Sequence, residues 1–354
     1  MSATNRRFDI DWLRVIAIGL LLLYHAAIGF QPWGIMIGFI TNNESWGSLW
    51  PLMAMLNVWR IPLLFFVSGM GVYFAMQHRN WRQLLKERAG RILIPFVFGI
   101  FVIVPIHMYL WQSYNQWQPA YQPGFGHLWF LGNIFAYTVL LSPLFYFLKR
   151  HEQGKIVTQL KRLSGHPGCL LLVIAAFVAE VLLVDPSLYE LYAMTWHGFF
   201  LGLIAFLSGY CFVLAGPSCW NMLWRWRWLF VATAGALYTW RLLQPQMIVP
   251  NVLLVIESNG WIFSVFAMGY KYLNRPGKAL RYLSEAAYPV YIMHMIFLFL
   301  SSMLVFPLHI EVHLKFILIL VLTGIGCFTF YEFIIRRINF IKPLFGLKRE
   351  RRPA

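Results

Sequence analysis

Arg14 and His25 stand eleven positions apart in the first long apolar run of the chain, Trp12 to Phe30. An α-helix turns about 100° per residue, so eleven steps bring the second side chain back to within roughly 20° of the first. At 1.5 Å of rise per residue the two lie about 16 Å apart, half the thickness of a bilayer core. Guanidinium is a permanent cation whose fork of donors matches phosphate. Imidazole titrates near neutrality and accepts a proton as a general base when neutral. A cation at a membrane edge and an imidazole near mid-depth, on one stripe, point to an enzyme working inside a membrane. A plainer reading stands beside each. Arg14 would serve as a snorkelling cation or as the partner of Asp11, three residues earlier, and His25 as a structural histidine bonded to a helix carbonyl.

Other ionisable groups fall inside apolar runs, where each is costly and a functional candidate by default. They are Arg60, Glu180, Glu257, His294 and Glu332, with Arg91, His127 and Glu285 near run edges. Arg60 lies a third of the way into the second run, too deep for easy snorkelling, and calls for a buried partner or a polar substrate. Ser68 is not a nucleophile elbow, because Phe66 stands where a G-x-S-x-G motif needs glycine. Its place is packing, or a gap where another group passes. The stretch Ser284 to His294 opens the ninth run, with Pro289 expected in a first helical turn. Glu285 is then cytoplasmic and His294 deeper, either as a second polar wall of the cavity or as a core histidine. Arg88 and Arg91, with Arg14, would make an anion site for phosphates. His309, Glu311 and His313 form an H-x-E-x-H pattern with no third ligand evident, so no metal is expected.

These residues need a membrane scaffold to position them. The chain of 354 residues is 60% hydrophobic and 12% charged, with a mean hydropathy of +0.62, against about 25% charged in soluble domains. The expected fold is all-α and polytopic, a single integral-membrane domain over residues 1–354, with no polar stretch long enough for an appended soluble domain. Ten apolar segments are placed at 12–30, 51–76, 93–111, 128–148, 168–184, 197–215, 228–243, 252–272, 287–306 and 314–335. The eighth is the least regular, because Glu257-Ser-Asn-Gly260 interrupts it. With the N-terminus in the cytoplasm, all of the 29 Lys and Arg except Arg60, Arg241 and Lys315 fall on the cytoplasmic side. That bias supports an even number of spans with both termini inside. It also accounts for the net charge of +16 without nucleic acid. Arg6 and Arg7 ahead of the first run imitate a signal peptide, but the run is too long and lacks a small-residue cleavage site, so it reads as an uncleaved span. Cys169, Cys211, Cys219 and Cys327 show no metal or disulfide spacing.

Outer loops are nearly free of basic charge. Residues 112–127, QSYNQWQPAYQPGFGH, set aromatics among amides, which suits either a sugar or an interfacial aromatic belt. Phe66-Val-Ser-Gly69 and Phe206-Leu-Ser-Gly209 are two short matches in helices of the same direction, too brief to establish a repeat; small residues in spans usually serve close packing.

Taken together, five stretches resemble acyltransferase family 3, the bacterial integral-membrane O-acyltransferases. They are Arg14-x₁₀-His25; Trp59-Arg60-Ile-Pro-Leu-Leu-Phe-Phe-Val-Ser68-Gly69; Glu87-Arg88-Ala-Gly-Arg91-Ile-Leu-Ile-Pro95; His127-Leu-Trp129-Phe-Leu131; and Tyr288-Pro-Val-Tyr291-Ile-Met-His294. The wording around Phe8-Asp-Ile-Asp-Trp-Leu-Arg14 and the second span resembles the periplasmic-glucan succinyltransferase branch. The resemblance implies about ten spans and acyl transfer from cytoplasmic acyl-CoA, acetyl-CoA or succinyl-CoA, to a hydroxyl of an extracytoplasmic glycan or other cell-envelope acceptor. It implies no tightly bound cofactor and a place in the bacterial inner membrane. The family's motif arginine and histidine map onto Arg14 and His25, the catalytic pair. Arg60, Ser68, His127, Trp129, Glu285, Tyr288 and His294 are then substrate-contact candidates, and Arg14, Arg88 and Arg91 candidates for the CoA phosphates. The rival is a polytopic transporter or flippase of a glycan or lipid-linked substrate, with the same buried polar groups and no chemistry. A third class is a membrane scaffold or receptor.

Overall fold

The structure is a computed structural model in which residues 6–77 and 79–349 are described. The extreme ends, Arg351 and Arg352 among them, lie outside the described residues, and with them the expected cytoplasmic placement of both termini. In lipid the backbone must satisfy its own hydrogen bonds, so long apolar runs become helices. Eleven follow in order among the described residues: α1 Phe8–Ile28, α2 Trp50–Gln77, α3 Trp81–Tyr114, α4 Trp129–Arg150, α5 Lys155–Ser164, α6 Gly168–Val184, α7 Trp196–Leu214, α8 Pro217–Leu242, α9 Asn251–Tyr272, α10 Lys278–Val305 and α11 Val312–Ile335. No strand is present among them.

Among the described residues, eight helices are long and apolar enough to cross a membrane, and α5 with α6, bent by 93°, passes as a ninth only if the pair is one span. The two expected spans that fall short are the fifth and the seventh. Helix α6 has 17 residues on its own. Helix α8 has 26 residues, but Arg225, Arg227, Arg241 and its tryptophans dilute its apolar character. The eighth expected span is an unbroken helix, α9, and Glu257 to Gly260 are all buried within it. Pro289 is not in a first turn: α10 begins at Lys278, and the proline lies in its interior. Residues 278–285, interrupted by Lys278, Arg281 and Glu285, continue the helix ahead of its uniformly apolar part, which hydropathy alone does not see.

Two compact units divide the chain, one of residues 1–17, 55–86 and 136–280, the other of residues 18–54, 87–135 and 281–354. The first is organised on a reciprocal glycine crossing of α2 and α7. A Cβ at Gly69 would overlap the carbonyl oxygen of Phe206, and a Cβ at Gly209 would overlap the carbonyl oxygen of Phe66. The two F-x-S-G segments therefore pack against each other as a pseudo-twofold pair. Each glycine removes the side chain that would hold the backbones apart. The same unit buries charge in pairs. Arg241 Nη2 donates to Glu257 Oε1 at 2.9 Å, and Arg241 Nη1 lies 3.4 Å from Glu190 Oε1. His197 Nδ1 lies 2.9 Å from Glu180 Oε1, while its Nε2 donates to the Tyr189 carbonyl at 2.9 Å. Near the chain start, Arg7 pairs with fully buried Asp9 and stacks its guanidinium over Trp220, 4.0 Å from the ring centre.

The second unit carries the histidines. Its helix α3 contains two π-turns, Ala89–Leu93 and Gly99–Ile103. Each is followed two residues later by a proline, Pro95 or Pro105, whose missing N–H and ring break the regular ladder. The chain then folds back: Tyr121 Oη donates to the Phe101 carbonyl at 2.9 Å, and Gln112 Nε2 donates to Gln122 Oε1 at 3.1 Å. Gln112 is thereby tied to Gln122 and also accepts the Ala120 N–H, while Gln116, Trp117, Gln118, Tyr121 and Phe125 stay exposed.

Candidate active site

Four imidazoles from four segments meet in the second unit. His25 comes from α1, His107 from α3, His127 from the short 3₁₀ turn before α4, and His294 from α10. His294 is fully buried and His25 half-buried. Their rings stack at 5.0 Å between centres, and His25 Nδ1 lies 2.8 Å from His294 Nε2. His294 Nδ1 in turn lies 2.7 Å from the carbonyl oxygen of Tyr291, one turn earlier.

His127 is tied to α10 twice. Its Nε2 donates to the Ile292 carbonyl at 3.1 Å, and its own carbonyl accepts the Tyr291 hydroxyl at 2.5 Å. The ring stands edge-on to His294 with centres 4.9 Å apart, and His107 follows at 5.6 Å. Gly126, with φ +47°, makes the turn that delivers His127; a side chain there would be strained and would crowd Val104 and His107. Buried His127 Nδ1 has no hydrogen-bond partner. Phe39 and Phe299 close the cluster with edge-on contacts to His25 and His107. Carbonyls and a neighbouring imidazole occupy ring nitrogens of all four histidines, His107 bonding the Ile103 main chain. Among the described residues, no group of three or more His, Cys, Asp or Glu is placed to hold a metal ion.

The other expected site residues lie as follows. Trp129 opens α4 and meets Phe130 edge to face. Tyr288 packs on Gly346, and Glu285 is exposed. Arg91 reaches the Gly346 carbonyl at 3.4 Å and Glu87 at 3.1 Å, while Arg88 lies 4.0 Å from the same Glu87. These belong to the unit of the histidines. Arg14, Arg60 and Ser68 belong to the other unit. Arg14 lies 3.5 Å from Asp11 and runs beside Gly71. Arg60 is 2% exposed and donates to Asn57 Oδ1 at 3.2 Å. The Ser68 hydroxyl donates to the Leu64 carbonyl at 2.7 Å, the back-bond of a helical serine. Helix α1 is continuous from Arg14 to His25, so the pair holds the helical register expected of it.

Sequence reasoning missed His107 and the double tie from Tyr291 and Ile292 to His127. His107 lies inside the third apolar run, so the rule that picked out the other intramembrane histidines would have found it too. Glu180 and Glu257, candidates by the same rule, are held by His197 and Arg241 in the first unit.

The family model described as an acyltransferase domain, acyltransferase family 3, matches residues 7–332. No curated protein and no solved structure matches the chain. The match spans all four histidines and every candidate site residue named from the sequence, and the chain belongs to acyltransferase family 3, as a polytopic membrane acyltransferase.

Proposed function

We propose that this protein moves an acyl group from cytoplasmic acyl-CoA, acetyl-CoA or succinyl-CoA, to a hydroxyl of an extracytoplasmic glycan in the inner membrane of a bacterium. The observation that carries the reading is the half-buried imidazole of His25, held at 2.8 Å by a second, fully buried imidazole in a chain of this family. A base needs a fixed ring and a place to share its charge, and this pair supplies both. His25 takes the proton of the acceptor hydroxyl as its oxygen attacks the thioester carbonyl. The new C–O bond forms, the C–S bond breaks, and the proton passes to the leaving thiolate of CoA.

Arg88 and Arg91 suit the phosphates of CoA, because guanidinium groups form charge-assisted, often bidentate bonds with phosphate. His127, whose Nε2 hydrogen is held by the Ile292 carbonyl, offers Nδ1 as an acceptor for a substrate hydroxyl. The exposed rings of Trp117, Tyr121 and Phe125 offer flat faces for sugar C–H groups, and the exposed amides of Gln116 and Gln118 offer hydrogen bonds to sugar hydroxyls. The protein uses no tightly bound cofactor.

The test is CoA release by purified protein given acetyl-CoA or succinyl-CoA with a β-glucan oligosaccharide. His25→Ala should cut the rate by ~10²–10⁴-fold, the usual range for a general base, while keeping the wild-type melting curve. Full activity in that variant would remove His25 from the role. Glycan flux without CoA release would favour the transporter reading.

A further inference from the structure

The hydrogen bonds around His294 fix more than its position. Its Nδ1 faces the Tyr291 carbonyl at 2.7 Å, and a carbonyl only accepts, so Nδ1 carries hydrogen. The ring is 0% exposed. In the neutral ring the lone pair then lies on Nε2. That lone pair faces His25 Nδ1 at 2.8 Å, and a bond between the two nitrogens needs a hydrogen on His25 Nδ1. The lone pair of His25 is thereby assigned to Nε2.

We infer that His294 is a positioning residue that locks His25 in the Nδ1–H tautomer, so that the base acts from Nε2, with the Tyr291 carbonyl anchoring the chain. The inference rests on the acyl-transfer reading for the direction in which the proton moves. When His25 Nε2 takes the hydroxyl proton, an O–H bond breaks and an N–H bond forms. The imidazolium charge is then shared along Nδ1–H toward His294 Nε2, and from His294 Nδ1–H toward the carbonyl. No proton leaves the chain; His25 returns it from Nε2 to the CoA thiolate. The logic is that of a catalytic imidazole whose far nitrogen is held by an acceptor, with a neutral histidine in the place a carboxylate takes in serine hydrolases. A neutral partner introduces no second buried charge. Tyr291 links the parts, because its carbonyl anchors His294 while its hydroxyl anchors the main chain of His127.

Two measurements test this. In ¹⁵N-histidine-labelled protein in detergent, with His25 assigned by difference from His25→Gln, the wild type should show protonated Nδ1 and unprotonated Nε2 at His25. His294→Leu should shift His25 toward the Nε2–H tautomer. In the same CoA-release assay, His294→Leu should lower kcat by ~10²–10⁴-fold, the loss expected when a base sits in the wrong tautomer, with KM for acetyl-CoA little changed. His294→Gln places an amide oxygen near the former Nε2 and should recover most of that loss. Hydrogen on His25 Nε2 in the wild type would overturn the inference. So would a folded His294→Leu with wild-type kcat, or a folded His294→Gln no better than His294→Leu. Wild-type protein that releases no CoA from either donor refutes the acyl-transfer reading instead, and the nitrogen spectrum then judges the tautomer by itself.

Discussion

The glycine crossing of α2 and α7 can be tested quantitatively. In Gly69→Ala the new methyl would lie 2.7 Å from the carbonyl carbon of Phe206 and 3.1 Å from its Cα; in Gly209→Ala the corresponding distances to Phe66 are 2.7 and 2.9 Å. Carbon atoms in good contact stand about 3.5–4.0 Å apart, so the backbones must part by about 1 Å. Backbone cannot swing aside as a flexible side chain can. Overpacking of this kind costs about 1–3 kcal/mol, and the helix preference of alanine over glycine returns roughly 0.5–1 kcal/mol. Each single substitution should therefore cost about 1–2 kcal/mol, a rise of roughly 5–30-fold in the unfolded fraction. Once one alanine has separated the helices, the second meets a wider gap. The double substitution should fall short of the sum by about 0.5 kcal/mol or more. Gly235→Ala is the control, since nothing lies within 4 Å of its Cβ position; it should be neutral or stabilising. The assay is equilibrium unfolding in detergent followed by tryptophan fluorescence. Gly69→Ala as stable as Gly235→Ala, or costs at the two crossing sites that add fully, would refute the reciprocal contact.

Further outcomes follow from the buried charges of the same unit. Arg241→Met leaves Glu257 buried and uncompensated and should destabilise by about 3–5 kcal/mol, whereas Arg241→Met with Glu257→Leu should recover most of that loss; unfolding midpoints of the two variants decide it. Burial raises the Glu190 carboxyl above its ordinary value, with Arg241 drawing it back in part. The folded protein then holds this proton more tightly than the unfolded chain, so stability falls as pH rises from the ordinary carboxylate range to the raised folded value and levels off beyond it. Glu190→Gln cannot ionise and should melt higher than wild type at neutral pH. The difference should vanish in acid, and a difference that persists there would contradict the titration.

Much of the candidate site was visible in the chain. His25, His127 and His294 were singled out because an imidazole in an apolar run is expensive, and the structure gathers all three. The same rule pointed equally to Glu180 and Glu257, which are held by His197 and Arg241. Cost alone does not separate function from pairing, because any partner of suitable charge offsets it and the partner lies on another helix. Pro289 misled for a related reason. Hydropathy marks where a helix is apolar, not where it starts, and α10 runs through polar residues before reaching the proline. The F-x-S-G matches were too short to weigh as a repeat until their glycines were seen against each other's carbonyls.

The sequence by itself determined that this is an all-α membrane protein of an acyltransferase family, because apolar runs in lipid have helices as their main solution and the motif residues recur in order along the chain. Helical register also put Arg14 and His25 on one face of α1. Only the tertiary structure decided which nitrogen of His25 is turned to which partner. That choice depends on a hydrogen bond between residues 269 positions apart, and on the carbonyl that sets the tautomer of the second ring. A tautomer is settled by its neighbours, and neighbours across helices are a property of packing.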